Sequence, residues 1–243
     1  MAATPPKEIE SVADLLQHLK SSAGDEKLWF RGHINEAWEL KPSVARRREY
    51  LNAELDMIRL FKQDAYPRLR ERPETAWEWV FLAQHHGIPT RLLDWSENPL
   101  IGLYFATERS EIDDTEPGRL WILRPEELNQ RSFGQPRILL FDHDPVLDGY
   151  LPEKVPHGAN TDPLAGIASR SFGRIVAQSG TFTVNHKQQT ALEKVHDGEC
   201  VDSFLIPAWS KEGIRGELQS LGITAASVYP ELSTLGAYVR SLY

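Results

Sequence analysis

Apolar residues recur at helical spacing along much of this chain, and between those stretches lie short runs rich in aromatic and β-branched residues. Val12, Leu15, Leu16 and Leu19 predict a first helix opened by Ser11 and Asp14 in a capping-box pattern and ending near Ser21. Leu51, Leu55, Ile58 and Phe61 place one apolar face on a long helix from Arg46 to Asp64. A second capping box, Thr75 to Glu78, opens a helix that runs to His85 and His86. Lys211 to Leu221, stopped by Gly222, and Glu231 to Leu242 read as the last two helices. Strands are expected at Lys27–His33, Arg119–Arg124, Arg174–Gln178, Thr181–Val184 and Val201–Ile206, with a shorter one at Arg137–Phe141. Pro125 to Leu128 reads as one helical turn and Glu111 to Gly118 as an acidic surface loop.

The pattern is densest in polar chemistry between Gln84 and Tyr104. Gly87 reads as a helix stop, with Pro89 preventing continuation. Asn98 and Pro99 read as N-cap and first residue of the next helix. That helix (Leu100, Ile101, Leu103, Tyr104, Phe105) is apolar nearly all round and must be buried. The segment between the two helices reads as a polar loop fixed from both sides, and it holds His85, His86, Thr90, Arg91 and Asp94. It is the best site candidate in the chain.

The fold class expected is α+β: a single domain over residues 11–243 with a mixed or antiparallel sheet and a buried central helix, preceded by a loose tail at residues 1–10. Five prolines between Pro136 and Pro163 leave residues 131–170 the least regular part. Composition agrees with a globular protein at 41% hydrophobic and 26% charged residues. The net charge of −8 weighs against a strong nonspecific grip on nucleic acid or an anionic membrane. Locally the sign reverses, since Arg46 to Arg72 holds eight Lys/Arg against five Asp/Glu. A lone Cys200 gives no disulfide framework, and no segment reads as a membrane span or signal peptide, so a cytoplasmic location is expected.

Each polar residue carries two readings. Arg31, between Phe30 and Gly32, either grips a phosphate or carboxylate with its planar fork or forms a partly buried ion pair with Glu54 or Asp94. Gly32 marks a point of close backbone approach. His85 and His86 point about 100° apart on a helix, so they do not share a metal comfortably, and no metal site is expected. One of the two caps the helix end, while the other is available to face a cleft as donor or general acid–base. Arg91 and Asp94 are close enough to pair, either as a structural latch or as part of a site. Gln178 can donate and accept from one amide. Leu92, Leu93 and Trp95 read as core.

Trp29-Phe30-Arg31-Gly32, followed by Ala83-Gln84-His85-His86-Gly87-Ile88-Pro89-Thr90-Arg91-Leu92-Leu93-Asp94-Trp95, resembles the FRG domain family, named for its Phe-Arg-Gly motif. Arg174 through Phe182 and Tyr229-Pro230-Glu231-Leu232 resemble two later segments of the same family, with Ser179 standing where a second Gln is usual. The Phe-Arg-Gly strand also resembles the first motif of ADP-ribosyltransferases. That likeness implies an NAD-using enzyme, transferase or glycohydrolase, and the family resemblance implies a bacterial defence or toxin system. Arg31, Gly32, His85, Thr90 and Arg91 would then hold NAD, and His86, Asp94 and Gln178 would act on it. Gln178 lies where those enzymes usually carry glutamate, so its amide keeps the hydrogen bonds and loses the charge; Glu193 is poorly spaced to replace it. The alternative is a non-catalytic module that binds a nucleotide or a partner protein. Nucleic acid ranks third as a partner. No Gly-x-Gly-x-x-Gly fingerprint supports redox NAD chemistry.

Overall fold

The computed structural model describes residues 7–22, 24, 26–109, 115–154, 162–168, 173–185 and 190–240. In chain order the elements are α1 (Val12–Ser22), β1 (Trp29–His33), α2 (Arg48–Ala65), α3 (Ala76–His85), β2 (Leu92–Ser96), α4 (Pro99–Thr107) and β3 (Gly118–Leu123). Then follow α5 (Pro125–Phe133), β4 (Leu139–Leu140), α6 (Pro145–Asp148), β5 (Leu164–Ile167), α7 (Gly173–Ala177), β6 (Gly180–Val184), β7 (Val201–Ile206), α8 (Lys211–Ser220), α9 (Ala225–Val228) and α10 (Leu232–Arg240). The helix starts follow the cap chemistry. Thr75 Oγ1 accepts from the Glu78 N–H at 3.1 Å while Glu78 Oε2 accepts from the Thr75 N–H at 3.2 Å. Asn98 Oδ1 accepts from the Leu100 N–H at 2.9 Å, with Pro99 as first helical residue.

The chain forms one seven-stranded mixed sheet in the order β4-β5-β6-β2-β1-β3-β7, a single α+β domain. Among the pairs of these seven strands β4–β5 alone is parallel. On one face α2 and α3 cover the β5-β6-β2 half through Ile58, Trp77, Phe81, Leu92, Phe182 and Val184. On the same face α1, α4 and α8 cover the β1-β3-β7 half through Leu15, Phe30, Leu103, Leu120 and Ile214. The opposite face is closed by Trp29, Leu93, Trp95 and Trp121 packed against Leu128 of α5 and Leu192 and Val195 of the 192–198 turn. Two apolar clusters therefore part on the helical face along the line where β2 meets β1. There the strands are joined at Phe30 with Ser96 and diverge beyond it.

Four expectations differ from the structure. The loop expected around Asp94 is a central strand, β2, fully paired with β6 from Leu92–Val184 to Ser96–Gly180. Its Leu92, Leu93 and Trp95 bury on both sides of the sheet, so the alternation that marks a half-exposed strand is missing. The strand expected at Arg174–Gln178 is the short helix α7, while those expected at Lys27–His33, Arg119–Arg124 and Val201–Ile206 lie together in the sheet. β5 lies in the proline-broken region that gave no pattern. The tail is pinned in part: Ile9 is fully buried and its N–H donates to Leu205 O at 2.9 Å, adding residues 7–9 to the edge of β7. Residues 1–6, 241–243 and the first half of the acidic loop (111–114) lie outside the described residues. α4 is buried as its composition requires, with Leu103 and Ala106 inaccessible. No helix among the described residues is long and apolar enough to cross a membrane.

Candidate functional site

Where β1 and β2 diverge, a cleft opens on the helical face between α3 and α4. It has two lobes that share Asp94 and Gln178. One, of about 120 Å³, is walled by Phe81, Gln84, His85, Ile175 and Phe182. The other, of about 160 Å³, is walled by Phe30, Arg31, Gly32, Ser96 and Phe105. Residues almost 150 positions apart meet here because β2 lies between β1, which carries Arg31, and β6, whose entry turn carries Gln178.

Arg31 reaches the cleft through the split in the sheet. Its Nη1 donates to the Asp94 carbonyl at 2.5 Å, and lies 3.9 Å from Asp94 Oδ2. Its Nε donates to His33 Nε2 at 3.1 Å. Loss of water lowers the guanidinium from its ordinary range to about 10, partly offset by Asp94, so it stays charged at neutral pH. An arginine Nε always carries hydrogen, so His33 Nε2 accepts and the imidazole proton sits on Nδ1, 3.1 Å from the Trp38 carbonyl. Trp121 Nε1 lies 3.2 Å from the same Nδ1, a contact that this tautomer makes donor to donor and therefore not a hydrogen bond.

Burial first, then the neighbouring Arg31 charge, push His33 down to about 3. The unfolded chain thus binds a proton on this ring between pH 6.5 and about 3 that the folded chain refuses. The resulting stability is complete above pH 6.5 and should be lost progressively, by about 5 kcal/mol in all, as the pH falls through that window. Urea unfolding at pH 7 and pH 4 should show the loss in the native chain and a much flatter dependence in His33→Gln. Equal pH slopes for the two would sink this assignment.

Asp94 is held from the other side. Gln84 Nε2 donates to Asp94 Oδ1 at 2.6 Å, and the Thr90 hydroxyl donates to Gln84 Oε1. The buried threonine thereby fixes which way the amide faces, and the amide fixes the carboxylate. Asp94 keeps 57% of its side chain exposed toward the cleft. The Gln178 backbone carbonyl accepts from Ser96 Oγ at 2.7 Å, while its Nε2 donates to the Val228 carbonyl at 3.2 Å. Ser179, next to it, takes a left-handed backbone at φ 46°, which turns the chain sharply from α7 into β6. His85 Nε2 lies 3.9 Å from Glu231 Oε1, so the Val228–Glu231 segment straps both Gln178 and His85.

Of the sequence candidates, Arg31, Gly32, His85, Asp94 and Gln178 line the cleft, and Thr90 supports it from beneath. Arg91 does not. It is 1% exposed, with Nε and Nη2 paired to the two oxygens of Glu54 and Nη1 donating to the Tyr150 carbonyl at 2.6 Å. The latch reading holds for Arg91, with Glu54 rather than Asp94 as partner. His86 is exposed on the outer side of α3, its ring 5.9 Å from Phe61, and lines neither lobe. Of the two histidines, His85 is therefore the one that faces the cleft.

Gly32 is approached closely, but by α4 rather than by a ligand. A Cβ there would sit 2.2 Å from Ala106 N and Gly102 O. Gln84 and Ser96 carry no role in the sequence reading, and Glu54, expected as a possible partner of Arg31, pairs with Arg91 instead. Glu54 had a signal: it falls on the apolar face of α2, four residues before Ile58, where a carboxylate needs a buried partner. Gln84 had none. Among the described residues no group of three or more His, Cys, Asp or Glu could hold a metal ion.

No curated protein and no solved structure matches the chain. A family match covers β1, α2, α3, β2 and α4 and ends at residue 115, so Gln178 and the Val228–Glu231 strap lie beyond it. Arg31, Gln84, His85 and Asp94 all lie inside the stretch, residues 26–115, that matches the model of the FRG domain family.

Proposed function

We propose that the cleft binds the nicotinamide-riboside end of NAD and cleaves its glycosidic bond, passing the ADP-ribosyl group to water or to a macromolecular acceptor. The observation that carries this reading is the shared position of Asp94 and Gln178 in both lobes, with Arg31 in one and His85 in the other. The glutamate usual in ADP-ribosyltransferases is replaced by Gln178, and Asp94 beside it supplies the missing carboxylate. Nicotinamide leaves with the electrons of the C–N bond. The Asp94 carboxylate, oriented by Gln84, lies where positive charge develops on the ribose and stabilises it. Gln178 orients ribose hydroxyls, Arg31 presents its remaining N–H groups to the pyrophosphate, and His85 takes the proton of the incoming nucleophile. A setting in a bacterial defence or toxin system is supported by the family resemblance alone.

One observation favours the second reading, a non-catalytic nucleotide-binding module. The lobes, about 120 and 160 Å³, are small beside the roughly 300–1,000 Å³ of ordinary ligand pockets. Nicotinamide release separates the two. Asp94→Asn preserves the hydrogen bond from Gln84 and should lower release by about 10²–10³. Arg31→Lys, which keeps the charge and loses the fork, should weaken NAD binding. Both variants should melt within a few degrees of the native chain. NAD binding without release in the native chain would replace the enzyme by the module.

A further inference from the structure

The far end of α2 and the turn after it carry chemistry that the cleft does not use. Arg59, Lys62, Arg68, Arg70 and Arg72 lie there against Asp64 and Glu71, all of them exposed. Glu54 does not offset them, because it is turned inward onto Arg91. Two rings stand among the cations. Tyr66, 45% exposed, stacks on Trp79 with centroids 6.3 Å apart and planes at 10°. The Arg72 guanidinium lies 4.1 Å over the Tyr66 ring and Lys62 Nζ lies 5.1 Å over Trp79. Arg72, Tyr66, Trp79 and Lys62 are thus in successive contact where the end of α2 and the turn after it meet α3. These helices run antiparallel, since Tyr66 meets Trp79, Phe61 meets His86 and Glu54 meets Arg91. Following α2 back from Tyr66, Phe61 touches His86, whose ring is 4.8 Å from that of His85 on the cleft wall.

We propose that this surface binds single-stranded nucleic acid, with phosphodiesters on the Arg59-to-Arg72 cations and a base on Tyr66. The partner follows from the pairing of the two features. Cations alone fit any polyanion, but a half-exposed ring backed by a second ring fits an unstacked base. An exposed cation–π contact is weaker than base stacking, so an incoming base takes the place of Arg72 on Tyr66. A duplex keeps its bases stacked and offers only phosphates. An anionic membrane would need an apolar face to insert, and beside Tyr66 the large apolar side chain exposed on this segment is Leu60. The chain as a whole carries −8, which confines a polyanion to this patch and makes its binding strongly salt-dependent. A strand seated here runs toward the His86 rim of the cleft. The inference goes beyond the NAD reading and does not depend on it.

Fluorescence anisotropy of the full chain tests it, with labelled single-stranded oligouridylate and oligothymidylate of about 12 nucleotides, within the span of known single-strand sites. Saturable binding to one or both is expected at about 50 mM salt, falling about fiftyfold at 200 mM if four phosphates are neutralised. A preference between the two strands tells RNA from DNA. Lys62→Glu with Arg72→Glu should weaken binding tenfold or more. Tyr66→Ala should weaken it without changing the salt slope. These side chains are exposed, and melting curves of the variants check that they fold. Absence of saturable binding, indifference to the charge reversals, or tighter binding to a matched duplex or to phosphatidylserine vesicles would each overturn the proposal. No NAD is present in the assay, so its failure leaves the enzyme reading untouched, and loss of nicotinamide release leaves this one.

Discussion

Arg91→Ala should destabilise the chain by about 3–5 kcal/mol, more than any change of a residue lining the cleft. The guanidinium is almost wholly enclosed, forked onto Glu54, and bonded to the Tyr150 carbonyl. Truncation leaves the Glu54 carboxylate, only 2% exposed, without its counter-charge, and the Tyr150 carbonyl without its donor. In a domain whose whole stability is of the order of 5–15 kcal/mol, that loss is a large share. It should lower the melting temperature by about 6–20 °C at the 2–4 °C per kcal/mol usual for this size. The double variant Glu54→Leu with Arg91→Met should recover much of the loss, because a buried pair replaced by apolar side chains of similar volume is often neutral. Denaturant unfolding of the native chain, both single variants and the double variant gives the cycle. A loss under 1 kcal/mol for Arg91→Ala, or a double variant as unstable as the sum of the singles, would refute the latch.

Gly32→Ala should also cost about 3 kcal/mol or more, for a different reason. β1 and α4 are packed backbone to backbone: a Cβ on Gly32 would lie 2.2 Å from both Ala106 N and Gly102 O, and one on Gly102 would lie 2.7 Å from Phe30 Cβ. Overpacking a core usually costs about 1–3 kcal/mol because side chains can shift, but here the obstruction is helix backbone and α4 itself must lift. Lifting α4 uncovers Leu103 and Ala106 and displaces Phe105 from the cleft wall. Gly32→Ala should therefore lower the melting temperature by roughly 6–12 °C and weaken ligand binding together. A variant that melts normally yet fails to bind would return Gly32 to a direct role in the cleft.

Much of the frame was legible because local rules and global packing agree. The Thr75 to Glu78 box, the Asn98-Pro99 start and the all-round apolar composition of α4 each prescribe one local structure, and each is found. β7 and α8 follow from short apolar runs and a Gly222 stop, whose φ of 80° is the left-handed backbone that a glycine supplies. His85 and Gln178 could be singled out as polar groups at element ends, where clefts form, whereas Arg31 and Asp94 stand in mid-strand and are marked by the aromatic-Arg-Gly and Thr-Arg-Leu-Leu-Asp motifs.

What the chain order alone did not decide is partnership. Whether Arg91 or Arg31 takes the Glu54 carboxylate depends on how α2 lies against α3, a long-range choice with no local signal. The segment from Leu92 to Ser96 reads as a loop from its neighbours and becomes a central strand because β6, almost 90 residues away, pairs with it along its whole length on one side, while Phe30 and the Arg31 side chain meet it on the other. α7 reads as a strand by its β-branched residues and coils because Ser179 must turn the chain into β6. The cleft exists only where β1 and β2 part, and the link from Thr90 through Gln84 to Asp94 exists only because that opening brings the end of α3 over β2. The sequence by itself determined which residues are apolar, where helices start and stop, and which polar groups stand ready. Tertiary packing assigned each charge its partner, because the cost of burying one unpaired exceeds any local preference.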